Sequence, residues 1–499
     1  MKRNKFSLSH YKLLTMDMGK LIPLTWFEAL PGDSIQQATS ALVRVSPLLS
    51  PVMHPVRIRI HHWFVPNRLI WDDWEDFITG GPDGLDATDW PRISISSVAN
   101  NDLHDYFGLP IGTYSPSMNV SALPARAYAL IYNEHYRDQD IITELTVNTG
   151  NGADATTNTA VQNVAWEKDY FTTARPWTQK GADVAVPVGD EAPVKGIGWD
   201  SATVRTGPQA AREADGTTPN YAKYKSVYVA GQDLVYMEDD PDNTGYPNIY
   251  ADLSQATGVT VNDLRLALAI QRYQEARAKY GSRYVEYLRY LGVRSSDARL
   301  QNPEYLGGGR QVIQFSEVLS SGGADDGANS PVGSLRGHGI SAMRTNRYRR
   351  FFEEHGIVMT LMSVVPKAIY MDGMSRKWRR TTKEEYFQKE LQFIGEQAIP
   401  HWEQNVFHSS RNDTFGYQGR YDEYRWEKSD IAGEFNSTLN YWHYARDFSG
   451  DTSLNQSFID CVPTKRVNAD TQSDVLYVMA NHSVQARRML TRYAKPKTF

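Results

Sequence analysis

The run Pro55-Val56-Arg57-Ile58-Arg59-Ile60-His61-His62-Trp63-Phe64-Val65-Pro66 constrains the fold more than any other stretch of the chain. Val56, Ile58, Ile60, His62 and Phe64 recur at period two, and Arg57, Arg59, His61 and Trp63 fill the alternate positions. A helix would scatter that pattern around its circumference, whereas a strand sorts it into two faces. Proline cannot continue a hydrogen-bonded ladder, so the two prolines bracket the strand. One face belongs in a core. The other carries two guanidiniums and a tryptophan, and has to meet something anionic, aromatic or wet. The pattern predicts a central strand of a β-sandwich, with the remaining chain supplying further strands and long excursions between them.

At 499 residues the chain exceeds the roughly 250–300 residues at which one hydrophobic core stops growing. It therefore holds either two domains or one β-core with large insertions. A hydrophobic content of 41% supports a globular core, and a mean hydropathy of −0.52 argues against a membrane protein. The longest apolar run, Ile357–Val365, is too short to span a bilayer and is interrupted by Thr360 and Ser363. Met1-Lys2-Arg3-Asn4-Lys5 is basic, but no apolar segment follows it, so no signal peptide is expected there. Cys461 is the sole cysteine, which excludes an intrachain disulfide or a cysteine zinc cluster and suits a reducing cytoplasm.

The punctuation by proline and glycine gives an order of segments. Residues 1–20 read as a basic, partly ordered arm. Residues 21–141 form the first part of the sandwich, with strands over Leu21–Pro31 and Ile35–Pro47. A short helix is expected within Asn67–Gly81, where Trp71, Trp74 and Ile78 have helical spacing and glycines stop the run. Ser121 is placed as the cap of a second helix reaching about Asp138, with Pro124 in its first turn. Residues 142–250, rich in Thr, Asn, Gly, Pro and Asp, read as a surface loop insertion. Residues 251–484 hold the remainder of the sandwich: a helix from Thr260 to Gly281, a tyrosine-rich helix through Tyr284 and Leu291, and glycine loops at Gly307-Gly308-Gly309 and Gly322–Gly333. They also hold a buried strand over His355–Val365, a short helix over Thr382–Phe393 and a late strand over Val475–Met479. Residues 485–499 are a basic tail. Many short strands with helices confined to their connections indicate an all-β Greek-key or jelly-roll sandwich.

Catalytic and metal chemistry find little support. Gly307-Gly308-Gly309 is followed by Arg310-Gln311, where a phosphate loop needs a lysine and a hydroxyl. His61 and His62 are adjacent on a strand and point to opposite faces, so with His54 they make a poor metal site. Asp72, Asp73, Glu75 and Asp76 suit a helix N-terminus better than acid–base work. No catalytic, cofactor-binding or metal-binding residue is expected.

The charge distribution is more informative. Residues 182–250 hold eleven Asp/Glu against five Lys/Arg. Cations interleave with aromatics around Arg347, Arg349 and Arg350, and again at Arg376, Lys377, Trp378, Arg379 and Arg380, while Arg487 and Arg488 open the basic tail. These ten residues are candidates for nucleic-acid contact, tracking a backbone while aromatics stack on bases. Equally, they could be subunit-interface residues meeting acidic neighbours.

Several stretches resemble the major capsid proteins of microviruses, closest to the gokushovirus-like branch. They are Phe6–Thr15, Asn67–Gly81, Leu123-Pro124-Ala125-Arg126-Ala127-Tyr128 with Arg137-Asp138-Gln139, Lys168–Thr172, Asp297–Gly308 and Glu354-His355-Gly356. The resemblance spreads over residues 6–140, 166–181, 251–310 and 340–400. It implies a single eight-stranded antiparallel jelly roll with helix-bearing loop insertions, and sixty copies in a T=1 shell around circular single-stranded DNA. It also implies several partners: a small basic internal DNA-binding protein, a pilot protein, an internal scaffolding protein and a host surface receptor, with no membrane. The virion is the expected location, after assembly in the bacterial host cytoplasm. An insertion forming threefold protrusions fits residues 182–250 best. On this reading Arg347, Arg349, Arg350, Arg376, Arg379 and Arg380 lie on the inner surface or at interfaces. Two rivals stand beside it. One is a carbohydrate-active jelly-roll enzyme with Trp71, Trp74, Trp90 and Trp402 as a sugar platform and Asp72 or Glu75 as acid; the other is a glycan- or receptor-binding spike.

Overall fold

A computed structural model describes residues 3–82, 85–182, 184, 194–195, 197–199, 235–237, 250–251, 261–280, 288–292, 300–319 and 333–492. Most of the acidic 182–250 stretch, the helix expected through Tyr284 and Tyr287, residues 322–332 and the tail beyond Arg492 lie outside the described residues. The chain divides into two units, one of residues 1–178 with 280–499 and one of residues 179–279.

The first unit is built on β1 (Asn4–Ser7), β2 (His10–Met16), β3 (Ile22–Ala29), β4 (Ser34–Val45), β5 (Val56–Pro66), β6 (Glu304–Val312), β7 (Gln314–Leu319), β8 (Leu335–Arg344), β9 (Tyr348–Phe351), β10 (Gly356–Pro366) and β11 (Leu476–Arg488). Two antiparallel sheets result. In the first, β1 and β2 both pair with β11, β11 with β4, β4 with β8 and β9, and β8 with β7; in the second the order is β6-β5-β10-β3. Met16, Val43, Val45, Leu476, Val478 and Ala480 of the first sheet meet Ile22, Leu24, Ile58, Ile60, Met362 and Val364 of the second in one apolar cluster. This is an all-β sandwich.

The run bracketed by Pro55 and Pro66 forms β5, inside the second sheet between β6 and β10. Val56, Ile58, Ile60, His62 and Phe64 face inward and are buried. On the opposite face Arg57 Nη1 donates to Glu167 Oε1 at 2.8 Å, and Arg59 pairs with the same carboxylate. Trp63 stacks on His135 with ring centroids 4.1 Å apart. The helix over Leu123–His135 covers this face together with Val164 and Trp166, so β10 is buried at every position from Gly356 to Pro366.

Helix α1 (Trp74–Thr79) ends at Gly80, whose φ of 83° is a left-handed stop that glycine adopts without strain. Helix α2 (Leu123–His135) stops short of Asp138, and Ala122, not Ser121, takes the cap position. Its Arg126 is fully buried and donates to Asp154, to the Ile70 carbonyl and to the Gly150 carbonyl at 2.8–2.9 Å. In the second unit α3 (Val261–Tyr280), apart from its last residue, accompanies two short strand pairs, Val194–Lys195 with Tyr250–Ala251 and Ile197–Trp199 with Val235–Met237.

Several expectations are corrected. The supposed arm at 1–20 forms β1 and β2, because Lys12, Leu14 and Met16 turn inward while Tyr11, Leu13 and Thr15 turn outward. The strand expected at Val475–Met479 runs on to Arg488, since polar Asn481, Ser483 and Gln485 alternate with buried His482, Val484 and Ala486. Gly307-Gly308-Gly309 is strand, not loop. A Cβ on Gly308 would lie 2.2 Å from the Ile60 carbonyl oxygen, so glycine lets β6 approach β5. Residues 142–178 fold into the first unit, burying Trp166, Phe171 and Ala174. The helix over Thr382–Phe393 shrinks to two 3-10 turns, although Glu385 does accept from the Thr382 N–H at 3.2 Å.

One polar chain crosses the core. The Tyr348 hydroxyl donates to Gln37, Gln37 to Thr360, and His62 joins Thr360 to Thr345, at 2.7–3.1 Å throughout. Thr345 accepts from the Thr39 N–H, and the Thr39 hydroxyl bonds His482 Nδ1. Burial holds His62 and His482 down at about 3, with neighbouring His61, His10 and Lys12 adding like charge. An unfolded imidazole titrates at about 6.5, so the unfolded chain binds more protons from there down to about 3. Stability is therefore present above pH ~6.5 and is lost as the pH falls, at up to ~1.4 kcal/mol per pH unit for each group. Denaturant unfolding between pH 7 and pH 4 should show this slope, reduced by about one proton in His62→Gln; an unchanged slope in that variant would contradict the assignment.

Candidate nucleic-acid interface

The motif at 376–380 lies in the connection between β10 and β11, and its cations are taken up within the chain. Arg376 donates from Nε to Glu403 at 2.7 Å and from Nη2 to the Ala398 carbonyl at 2.6 Å. Burial pushes the Glu403 carboxyl up to about 7 against the opposing pull of Arg376. Arg380 sits 4.1 Å from the Tyr424 ring centre and 3.7 Å from Glu423. Arg379 lies over Trp402 at 5.1 Å, and Lys377 reaches Glu427 at 2.7 Å. Trp378 is left exposed. Arg376 and Arg380 thus anchor the connection and have little capacity left for a phosphate.

The other candidates separate in the same way. Arg350 meets Glu304 at 3.1 Å, and Arg488 meets the fully buried Asp33 at 3.0 Å. Arg347, Arg349 and Arg487 are exposed and have no ion pair among the described residues. Arg349 and Arg487 project from the outer face of the first sheet, opposite to the core side, where alternation places further cations that local motifs had missed.

The register defines that face as rows running across the strands. Lys5 lies opposite Arg487, then Ser34, then Phe351. In the next row are Ser7, Gln485, Gln36 and Arg349. Further along come Tyr11, Asn481, Ser40 and Arg344; then Leu13, Met479, Leu42 and Ala342; then Thr15, Tyr477, Arg44 and Ile340. Lys5, Arg44, Arg344, Arg349 and Arg487 are exposed and lack an ion pair among the described residues. None of these row positions carries Asp or Glu. Asp474, at the margin, is bonded to Thr15 and Asn101. Like charges directly opposite on neighbouring strands repel, as Lys5 and Arg487 do here, so this face favours a polyanion. The signal missed in the sequence was alternation in β4 and β8; no local pattern could have paired the two ends of the chain.

Other candidate chemistry disperses. Trp71 and Trp402 are buried, which removes two members of the tryptophan platform, and Asp72 accepts from Thr149. His54 bonds the Lys367 carbonyl, His61 bonds Tyr136, and His62 bonds two threonines. Among the described residues no cluster of three His, Cys, Asp or Glu is placed to hold a metal ion, and no described helix is long and apolar enough to cross a membrane.

Comparison with known proteins agrees in direction. The profile of the family described as capsid protein (F protein) matches residues 1–498. Capsid protein VP1 of Bdellovibrio phage phiMH2K is 33% identical over 100% of this chain and 96% of its own length. Capsid protein VP1 of Chlamydia phage 1 is 32% identical, over 92% of this chain and 89% of its own. That of Spiroplasma virus 4 is 29% identical, over 92% and 87%.

The two kinds of arginine should respond differently to substitution. Arg376→Ala leaves Glu403 buried without its partner, where it takes up a proton, and should cost ~1–3 kcal/mol in denaturant unfolding. Arg349→Gln with Arg487→Gln should change stability by no more than ~0.5 kcal/mol, yet lower the salt slope of single-strand binding by ~0.7 for each residue. An unaltered slope would remove both residues from the interface.

Proposed function

Because the chain belongs to the capsid protein (F protein) family, we propose that it is the major capsid protein of a small single-stranded DNA bacteriophage, sixty copies of which close a T=1 shell around the genome. The observation that carries this reading is the outer face of the first sheet, where five cations without ion pairs among the described residues and no carboxylate in their rows await a polyanion. With that face turned inward, contact with the genome is electrostatic and tolerant of sequence.

The strand order supports the jelly-roll architecture expected of such a shell. Taking β1 with β2 as one strand and setting β7 and β9 aside as additions, the sheets read β2-β11-β4-β8 and β3-β10-β5-β6. Eight strands in that order, with the chain passing back and forth between two sheets, fit the double-sheet pattern expected of a viral jelly roll. The connections at 67–303 and 367–475 are then free to form contacts between copies. Exposed Trp378, Phe393 and Phe407 in the second of them have the aromatic character favoured at interface cores.

The role is structural, not catalytic. The acidic 182–250 stretch is the proposed outward insertion for host attachment. A small basic DNA-binding protein, a pilot protein, a scaffolding protein and a host receptor complete the proposed partners, by the resemblance to gokushovirus-like capsid proteins.

Expression with the neighbouring genes, followed by negative-stain microscopy and nuclease digestion, tests the reading. Uniform small icosahedral particles protecting single-stranded DNA are expected; a chain that stays monomeric or dimeric with its scaffold present would overturn it. Deleting residues 182–250 should leave a cooperatively folding sandwich and particles that fail to attach to the host. Loss of folding on deletion would refute the insertion reading.

A further inference from the structure

Between the cation rows on the outer face of the first sheet lies a band that electrostatics does not explain. Its central row is Leu13, Met479, Leu42 and Ala342, with Tyr477 in the row on one side and Tyr11 in the row on the other. Tyr11 and Leu13 are 70% and 80% exposed, and Tyr477 and Met479 are 43% and 41% exposed. Together these side chains make one contiguous apolar patch in the middle of the face. Arg44 flanks it in the Tyr477 row and Arg344 in the Tyr11 row.

We infer that this band is a base-stacking platform for single-stranded nucleic acid, with phosphates held by the arginines at its two edges. The inference rests on the genome-facing orientation proposed above and specifies what that face recognises. Rows of the same parity are about 7 Å apart along a strand and neighbouring strands about 4.8 Å apart, so the band measures roughly 14 Å by 14 Å. That area accommodates one or two unpaired bases. A duplex would present only sugar and phosphate to the apolar row, because its bases are turned inward, and would gain nothing from it. A basic polypeptide would meet the same cations and be repelled. An unpaired strand alone supplies a flat apolar surface and an anion together, and stacking on aromatic side chains is indifferent to base identity.

Two measurements on the full chain test this. In particles carrying their genome, ultraviolet cross-linking followed by protease and nuclease digestion should place nucleotide adducts on Tyr11 or Tyr477. Protein–protein cross-links across the band, or adducts confined to other surfaces, would overturn the inference in favour of a second copy or an internal protein. In fluorescence anisotropy the unassembled chain should bind a fluorescent oligothymidylate about tenfold or more tighter than a duplex of equal length. Tyr11→Ser with Tyr477→Ser should abolish that preference, while Arg44→Gln should weaken both probes. Equal affinity for the two probes in the wild-type chain would refute base stacking and leave the electrostatic reading intact. Binding of neither would refute the genome-facing orientation as well. All substitutions are at exposed positions, and thermal unfolding confirms that the variants are folded. The cross-linking experiment needs no variant.

Discussion

Strand β10 has no solvent face: every residue from Gly356 to Pro366 is buried. An antiparallel sheet commonly keeps one wet face, so a strand of this kind obliges the chain to build a second layer outside the sandwich. Helix α2 and the segment around Trp166 are that layer. Its attachment is polar, through Arg126 to Asp154, Ile70 and Gly150 and through Glu167 to the two arginines of β5. The division of labour between the sheets follows. The centre of the second sheet is covered on both sides, and the first keeps an open face. Among the described residues, that open face is the sheet face left to meet something outside the chain.

The amino-acid sequence made the sealed part easiest to read. Period-two alternation in β5 and the unbroken apolar run of β10 are strong local signals, and Gly80 is an unmistakable helix stop. The reading of the outer face of β5 succeeded for the same reason, because guanidiniums beside a tryptophan narrow what can cover them. The edges of the first sheet were obscure. In β1, β2 and β11 the inward positions include Lys12, His482 and Ala486, which do not look like core residues in isolation. Their burial depends on neighbours supplied from the opposite end of the chain.

Clusters of arginine are divided by the fold for a related reason. Five consecutive residues from Arg376 to Arg380 looked like a nucleic-acid motif, yet Glu403, Glu423 and Glu427 reach back to three of them. The cations left without ion pairs are dispersed: Lys5, Arg44, Arg344, Arg349 and Arg487 share a face only through strand register. Density of charge along a sequence reports how many cations are present. Which of them remain available is settled by where the carboxylates fold.

The position of β11 has a consequence for how the protein is made. It is the last of the described strands, yet it lies inside the first sheet, with β2 on one side and β4 on the other. The Val484 N–H bonds the Ser9 hydroxyl across 475 residues. Until Leu476–Arg488 has left the ribosome, β2 and β4 have no strand to join them, and the sheet is two separate edges. Contacts of such sequence separation are slow to form. A chain that stops before Leu476–Arg488 therefore lacks the continuous surface of this sheet, and synthesis through that strand becomes a condition of assembly.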